Sequence, residues 1–180
     1  VRYAPKPGPA GDVEVMPLAP RHRRGLPPYR RMSPVLLQVA RDIGAARRSV
    51  DMWMAYFLPP RRMQKALRSA VNNGARVRVL IPSESDVPLV QHATFGRLGR
   101  LLRMGVEIAF WTGPMLHAKS TVIDGRIVHL GSANLDYRTA YWNIETNVRV
   151  DSEKLAVRLS SWFEEDLERC EPITLEDWRR

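Results

Sequence analysis

Between Ser49 and Trp111 the chain alternates short apolar runs with amphipathic stretches of helical period, and this alternation constrains the fold more than any other feature. Ser49–Phe57 reads as a buried strand stopped by Pro59-Pro60. Arg61–Asn73 reads as a helix with Met63, Ala66, Leu67 and Ala70 on one face and Gly74 as its stop. Val77–Ile81 is a strand, Pro88–Met104 a helix ended by Gly105, and Val106–Trp111 a strand. Upstream, Ser33-Pro34 has the form of a helix start, with Val35, Leu36, Val39, Ile43 and Ala46 following at helical spacing. Strand–helix–strand repetition of this kind calls for an α/β layer structure, because each crossover helix packs its apolar stripe on the sheet it bridges. The expected fold is therefore mixed α/β, with a mostly parallel central sheet and helices on both faces.

After Trp111 the rhythm changes. Leu116–Ile123 and Arg126–Leu130 form a predicted hairpin around Asp124-Gly125. Ile144–Val150 is a further strand, and Asp151 or Ser152 caps a last helix running to about Glu168. Residues 1–31 hold seven prolines and read as a Pro/Arg-rich linker, in which Val13–Leu18 is a possible edge strand. The domain is expected over 32–170, followed by a tail at 171–180. The chain opens without Met, consistent with a piece of a longer protein or a processed product.

Charge and apolar content narrow the partners. Residues 1–80 carry sixteen bases against four acids, a net +12, whereas residues 81–180 carry twelve against fifteen, a net −3. So basic a first half suits an anionic partner: a phospholipid surface, nucleic acid or a phosphate ester. The longest apolar run, Met52–Leu58, is far shorter than the about 20 residues a membrane span needs. A single cysteine, Cys170, excludes an internal disulfide and a Cys-based zinc site, and the four histidines lack metal-ligand spacing.

The chemistry is concentrated in residues 117–145. His117 and Lys119 are two apart on an expected strand, so they share a face. Lys119 offers a point charge to the non-bridging oxygens of a phosphate ester, and His117 can attack phosphorus or pass a proton. With the ammonium supplying the cation, a metal is redundant. Ser132 and Asn134, after Gly131, are neutral donors for phosphate oxygens. Glu145, on the next strand, is a candidate to hold the ring nitrogen of His117 that faces away from substrate. Asp124 precedes a glycine in a turn, and turn chemistry alone accounts for it. Tyr56, Phe57, Trp111, Tyr141 and Trp142 are expected to pack, and His22, His92 and His129 to be incidental.

The pattern His117-x-Lys119-x4-Asp124-x6-Gly131-Ser132-x-Asn134 resembles the HKD motif of the phospholipase D superfamily. Six residues at fixed spacing, at about 5% each, coincide by chance about once in 10⁸ windows. Asn134-Leu135-Asp136-x-Arg138, Asn143-x-Glu145, and Tyr56-Phe57 ahead of Pro59 are similar to the bacterial cardiolipin synthase branch, in its second half. Two departures stand out: Pro60 occupies the place of an acid in the loop after Phe57, and Thr139 follows Arg138 where serine is usual.

The resemblance implies a phospholipase D-like half-unit and a phosphatidyltransferase acting through a phosphohistidine, with His117, Lys119, Asp124 and Glu145 in the catalytic set. Lys119, Ser132 and Asn134 would hold the phosphate, and no metal or cofactor is implied. Because the family builds one site from two such motifs, a second half is also implied, either a missing N-terminal half or another copy of the chain. His117, in the second-half position, would then act as general acid and base. The substrate would be a phosphatidylglycerol-like phospholipid and the location the cytoplasmic side of an anionic membrane, peripheral or tethered by a segment outside this chain. Two other readings follow from the same residues: a single-motif homodimeric endonuclease, with nucleic acid as partner, or an inactive module that binds anionic membrane.

Overall fold

The computed structural model describes residues 14–19, 32–84 and 88–179. Their elements run in the order β1 (Glu14–Leu18), α1 (Pro34–Ala45), β2 (Ser49–Met54), α2 (Arg61–Asn72), β3 (Arg76–Pro82), α3 (Pro88–Arg103), β4 (Val106–Trp111), β5 (Lys119–Ile123), β6 (Ile127–Gly131), α4 (Tyr137–Tyr141), β7 (Asn147–Asp151), α5 (Glu153–Leu167) and β8 (Cys170–Ile173). The strands form one sheet of order β1-β7-β6-β5-β2-β3-β4-β8. Of the Pro/Arg-rich segment only 14–19 is described; β1 is the sheet's edge on β7, and Val13 with the rest of the linker lies outside the described residues.

The mixed α/β class is as expected, with helices on both faces, but parallel pairing is less extensive than the rhythm suggests. Only β2–β3 and β3–β4 are parallel; the other five ladders are antiparallel. The reason is local. Helical crossovers join β2 to β3 and β3 to β4, while beyond β4 a tight turn joins β5 to β6 and the short α4 joins β6 to β7, which suits reversal of direction. The last residues, read from sequence as a tail, add β8 to the β4 edge and bring Trp178 against Phe95 and Gly99.

One face of the sheet is covered by α1, α2 and α3. Val35, Leu36, Val39 and Ile43 of α1 and Met63, Leu67 and Ala70 of α2 are buried there with Val50, Met52, Val77 and Val79 of the strands. Each such fully buried valine, leucine, isoleucine or methionine side chain contributes about 1.5–3 kcal/mol of transfer free energy. The helices α1 and α2 approach closely at Gly44, where an added Cβ would lie 3.6 Å from Ala66 Cα, and Ser69 and Asn73 donate to the Gly44 carbonyl. Ser33 takes the N-cap position of α1, yet its hydroxyl makes no capping bond; Pro34 begins the helix and the Ser33 N–H donates to Ala140 O.

The other face is covered by α5, which buries Ala156, Leu159 and Phe163 against Trp53, Leu80, Val122, Val128 and Val150. Polar bonds latch it. Arg78 gives Nε to Asp51 and Nη2 to Glu164, both at 2.7 Å, and stacks its guanidinium on the Phe163 ring. Trp53 Nε1 donates to Asp166 at 2.7 Å. Burial pushes the Asp51 carboxyl above its ordinary range even against the pull of Arg78. Ser152 caps α5 by accepting from Leu155 N, the second of the two caps expected from sequence.

Candidate active site

The ends of four strands meet at one edge of the sheet. There β2 and β6 finish, while β5 and β7, antiparallel to them, begin. Every candidate site residue of the 117–145 stretch lies at this edge except Asp124.

Lys119 opens β5 opposite Met54, on the face covered by α1 and α2. Its Nζ donates to the carbonyl of His117 at 2.8 Å, so the ammonium folds back over the residue that carries the imidazole. His117 is exposed and precedes the strand rather than lying in it. The expected strand start at Leu116 is thus three residues early, because β2 stops at Met54 and offers β5 little beyond. One further bond, Ala55 N–H to Ala118 O, ends the ladder. His117 lies two residues before Lys119, outside any strand; it is exposed, and its ring has no hydrogen bond among the described residues.

Opposite them, Gly131 closes β6. An added Cβ would strike the Asn147 side chain and the Thr146 carbonyl, and would come within 2.6 Å of Asn147 Cα, so glycine is required by the close approach of β7. Asn147, 4% exposed, uses the space to accept from Ala133 N at 3.1 Å, and this bond sets the path of the Ser132–Asn134 loop. Sequence reasoning missed Asn147; its one signal was the alternation of Asn143, Glu145 and Asn147 into the strand.

Ser132 is exposed but anchored: its N–H donates to Thr146 O, and its Oγ accepts from Thr146 N at 3.1 Å. Asn134 is 8% exposed, and its Oδ1 is buried without a protein partner. A half-turn of the amide exchanges acceptor for donor, the form a phosphate oxygen needs. Next to it, Leu135 bridges Phe57 and accepts from Leu58 N, closing the gap between β6 and the loop after β2. Phe57 is buried in the core, as expected of a packing residue.

Glu145 stands at the same edge, half-buried. Its Oε1 accepts from Asn143 Nδ2 at 3.0 Å, and no hydrogen bond or ion pair joins it to His117. The orienting contact expected of it is absent from this arrangement because Asn143, two residues upstream, holds the carboxylate. Trp142, expected to pack, is 58% exposed beside the site.

Asp124 departs from the expected catalytic set. It sits at the far end of β5, five residues and about 17 Å of strand from Lys119. With φ at 53° it forms the turn, and its carboxylate accepts from the N–H groups of Arg47, Arg48 and Ser49. That carboxylate ties the hairpin to the entry of β2 and touches no group at the active edge.

His129, expected to be incidental, is buried under α1, with Nε2 2.8 Å from Asp42, which also accepts from Arg149. It is a structural ion cluster between α1, β6 and β7. Among the described residues no group of three or more His, Cys, Asp or Glu is placed to hold a metal ion, and no helix is long and apolar enough to cross a membrane.

An exposed imidazole, an ammonium on its own main chain and anchored amide and hydroxyl groups on the neighbouring loop can together grip a tetrahedral anion and exchange a proton with it. A family described as cardiolipin synthase, PLD-like domain, matches residues 39–167. Minor cardiolipin synthase ClsB of Bacillus subtilis (strain 168) is 33% identical over 139 residues, 77% of this chain and 35% of that protein. Cardiolipin synthase 1 of Staphylococcus epidermidis (strain ATCC 12228 / FDA PCI 1200) is 36% identical over 134 residues, 74% of this chain and 27% of that protein. The chain therefore spans between about a quarter and about a third of the length of the curated relatives it matches. In fold it is similar to Nuc from Salmonella typhimurium, a phospholipase D family member, with a TM-score of 0.72 at 20% identity over 91% of this chain and 99% of that one.

Proposed function

The chain belongs to the phospholipase D-like domain family of the cardiolipin synthases, and from that premise we propose that it is one half of a phosphatidyltransferase site acting on a phospholipid phosphodiester. The observation that carries the reading is the placement of His117 and Lys119: both sit at an open strand end, with the Lys119 Nζ held on the His117 carbonyl. Lys119 neutralises a non-bridging oxygen, and Ser132 and Asn134 contact the others.

Transfer needs two imidazoles. One attacks phosphorus and expels the first alcohol, which takes a proton from the other; that second imidazole then deprotonates the incoming hydroxyl, which attacks the phosphohistidine and frees the first. We assign His117 the acid and base role and place the nucleophile on a second HKD motif, from a preceding half or another copy of the chain. With phosphatidylglycerol as both donor and acceptor, the products are cardiolipin and glycerol. Attachment is to the cytoplasmic side of an anionic membrane.

The test uses the full-length product of the reading frame that carries these residues. Vesicles of phosphatidylglycerol should yield cardiolipin and glycerol in equal amounts, unaffected by EDTA, and His117→Ala should lower the rate at least about 10³-fold. Undiminished turnover in that variant overturns the assignment. Cleavage of nucleic acid with no turnover of phosphatidylglycerol would favour the endonuclease reading instead.

A further inference from the structure

The two faces of the sheet carry opposite charge. Helix α2 exposes Arg61, Arg62, Lys65 and Arg68, and α3 exposes Arg97, Arg100 and Arg103. With Arg41 of α1 they make eight exposed cations on one helical layer, and the only acid in those three helices is Asp42, which is spent on His129, Arg149 and Gln38. On the opposite face α5 carries Glu153, Glu164, Glu165 and Asp166 against Lys154 and Arg158.

The cationic layer reaches the active edge. A groove of about 610 Å³ between α1 and α2 is floored by Leu37, Ala40 and Ala66, flanked by Arg41 and Arg62, and closed by Tyr141. Tyr141 stacks on Trp142 in an edge-to-face contact with centroids 6.2 Å apart. From there an apolar collar surrounds the site: Met115 is 66%, Trp142 58% and Ile144 68% exposed.

We propose that the α1–α2–α3 layer and this collar are one docking surface for an anionic phospholipid bilayer, seated so that His117 faces the headgroups. This deepens the phospholipid reading above and rests on it. Three helices that hold a single acid, itself paired, match a field of lipid phosphates, and an indole beside aliphatic side chains suits the boundary between headgroups and acyl chains. Duplex nucleic acid would use the cations, but it offers no apolar phase to Met115 and Ile144. The acidic α5 face would point away from the bilayer.

Co-sedimentation of the chain with vesicles tests this without any turnover. Binding to vesicles of phosphatidylglycerol and phosphatidylcholine should exceed binding to phosphatidylcholine alone, and should weaken between 0.1 and 0.5 M salt, taken as about the range where screening becomes strong. Each cation near an anionic bilayer is worth about fivefold in partitioning, so the triple reversal Arg62→Glu, Lys65→Glu, Arg68→Glu should weaken binding at least about 100-fold. Reversing Lys154 and Arg158 on α5 should change it less than about fivefold. Should the triple reversal unfold the chain, Lys65→Gln with Arg68→Gln should still give about a 25-fold loss. Equal binding to both vesicle types, no response to the α2 variants, or displacement from vesicles by a short DNA duplex at equal phosphate would overturn the proposal. Failure of docking is thereby separated from failure of the chemistry, which a soluble phosphodiester reports on its own.

Discussion

Replacing Asp124 separates architecture from chemistry in the His-Lys-Asp pattern. The carboxylate accepts from three successive backbone N–H groups, at 3.0 Å from Arg47, 2.8 Å from Arg48 and 3.1 Å from Ser49, and the residue itself sits at φ 53°. Asp124→Ala removes all three acceptor contacts and leaves a Cβ in the left-handed region. At about 1 kcal/mol per half-exposed bond and about 1 kcal/mol for the backbone, the cost is about 4 kcal/mol. Asp124→Gly restores the backbone freedom and should cost about 3 kcal/mol. Asp124→Asn keeps one acceptor oxygen and tolerates the conformation, so about 1–2 kcal/mol is expected.

Urea unfolding monitored by circular dichroism would order the variants as Asn, Gly, Ala. With a slope of about 2 kcal/mol per molar, the alanine midpoint should fall by about 2 M. Turnover per folded molecule, assayed well below each midpoint, should stay within about threefold of the parent, since nothing joins Asp124 to the active edge. An asparagine variant with an unchanged midpoint and abolished turnover would refute this reasoning and return the acid to the chemistry.

The Asp42 cluster and Gly131 can be perturbed in the same way. Burial alone would raise the Asp42 carboxyl, but hydrogen bonds from His129, Gln38 and Arg149 outweigh it and hold the group below its ordinary range. Its contribution is therefore complete above the unfolded value of about 3.9 and fades as pH falls through the lower folded value. Asp42→Asn should cost about 2 kcal/mol at pH 7, and urea midpoints of the two proteins should converge below about pH 4; a gap that persists undiminished at pH 3 contradicts the cluster. At the active edge, Gly131→Ala places a methyl on Asn147 and must displace the Ala133 N–H bond that shapes the Ser132–Asn134 loop. The expected result is at least about a tenfold loss of turnover with about 1–3 kcal/mol of stability. A variant that turns over normally would show the loop path to be unimportant.

What could be read from the amino acids was whatever is encoded over a few neighbours. The helical stripes of α1, α2 and α5 and the Asp-Gly turn are local patterns, and they stand in the structure. Strand starts were less legible, since β5 begins where its partner β2 still offers backbone groups, and that is a property of the pair. Nor do long-range polar contacts leave a trace in sequence: His129 meets Asp42 across 87 positions, and Asp124 finds donors 75 to 77 positions back. Trp142 misled for a related reason, because a residue just past a five-residue helix has no period from which to infer its face.

The half-site character can be argued from the groups at the edge themselves. Displacing one alcohol from a phosphodiester by another requires an attacking atom and, at the same instant, a proton for the departing oxygen. His117 can serve as one of these at a time. Lys119 is cast as the cation that the phosphate needs, not as the attacking atom. Glu145 accepts from Asn143, and the Ser132 Oγ accepts from the Thr146 N–H, so the reading gives Ser132 to the phosphate oxygens and assigns neither group the proton transfer. On the proposed reading, the edge supplies a phosphate grip and one proton-transferring imidazole, and a second imidazole from opposite completes the chemistry. The openness of the His117 ring is the form such a half must take: a ring already bonded on both nitrogens could not receive the phosphorus centre between itself and its counterpart.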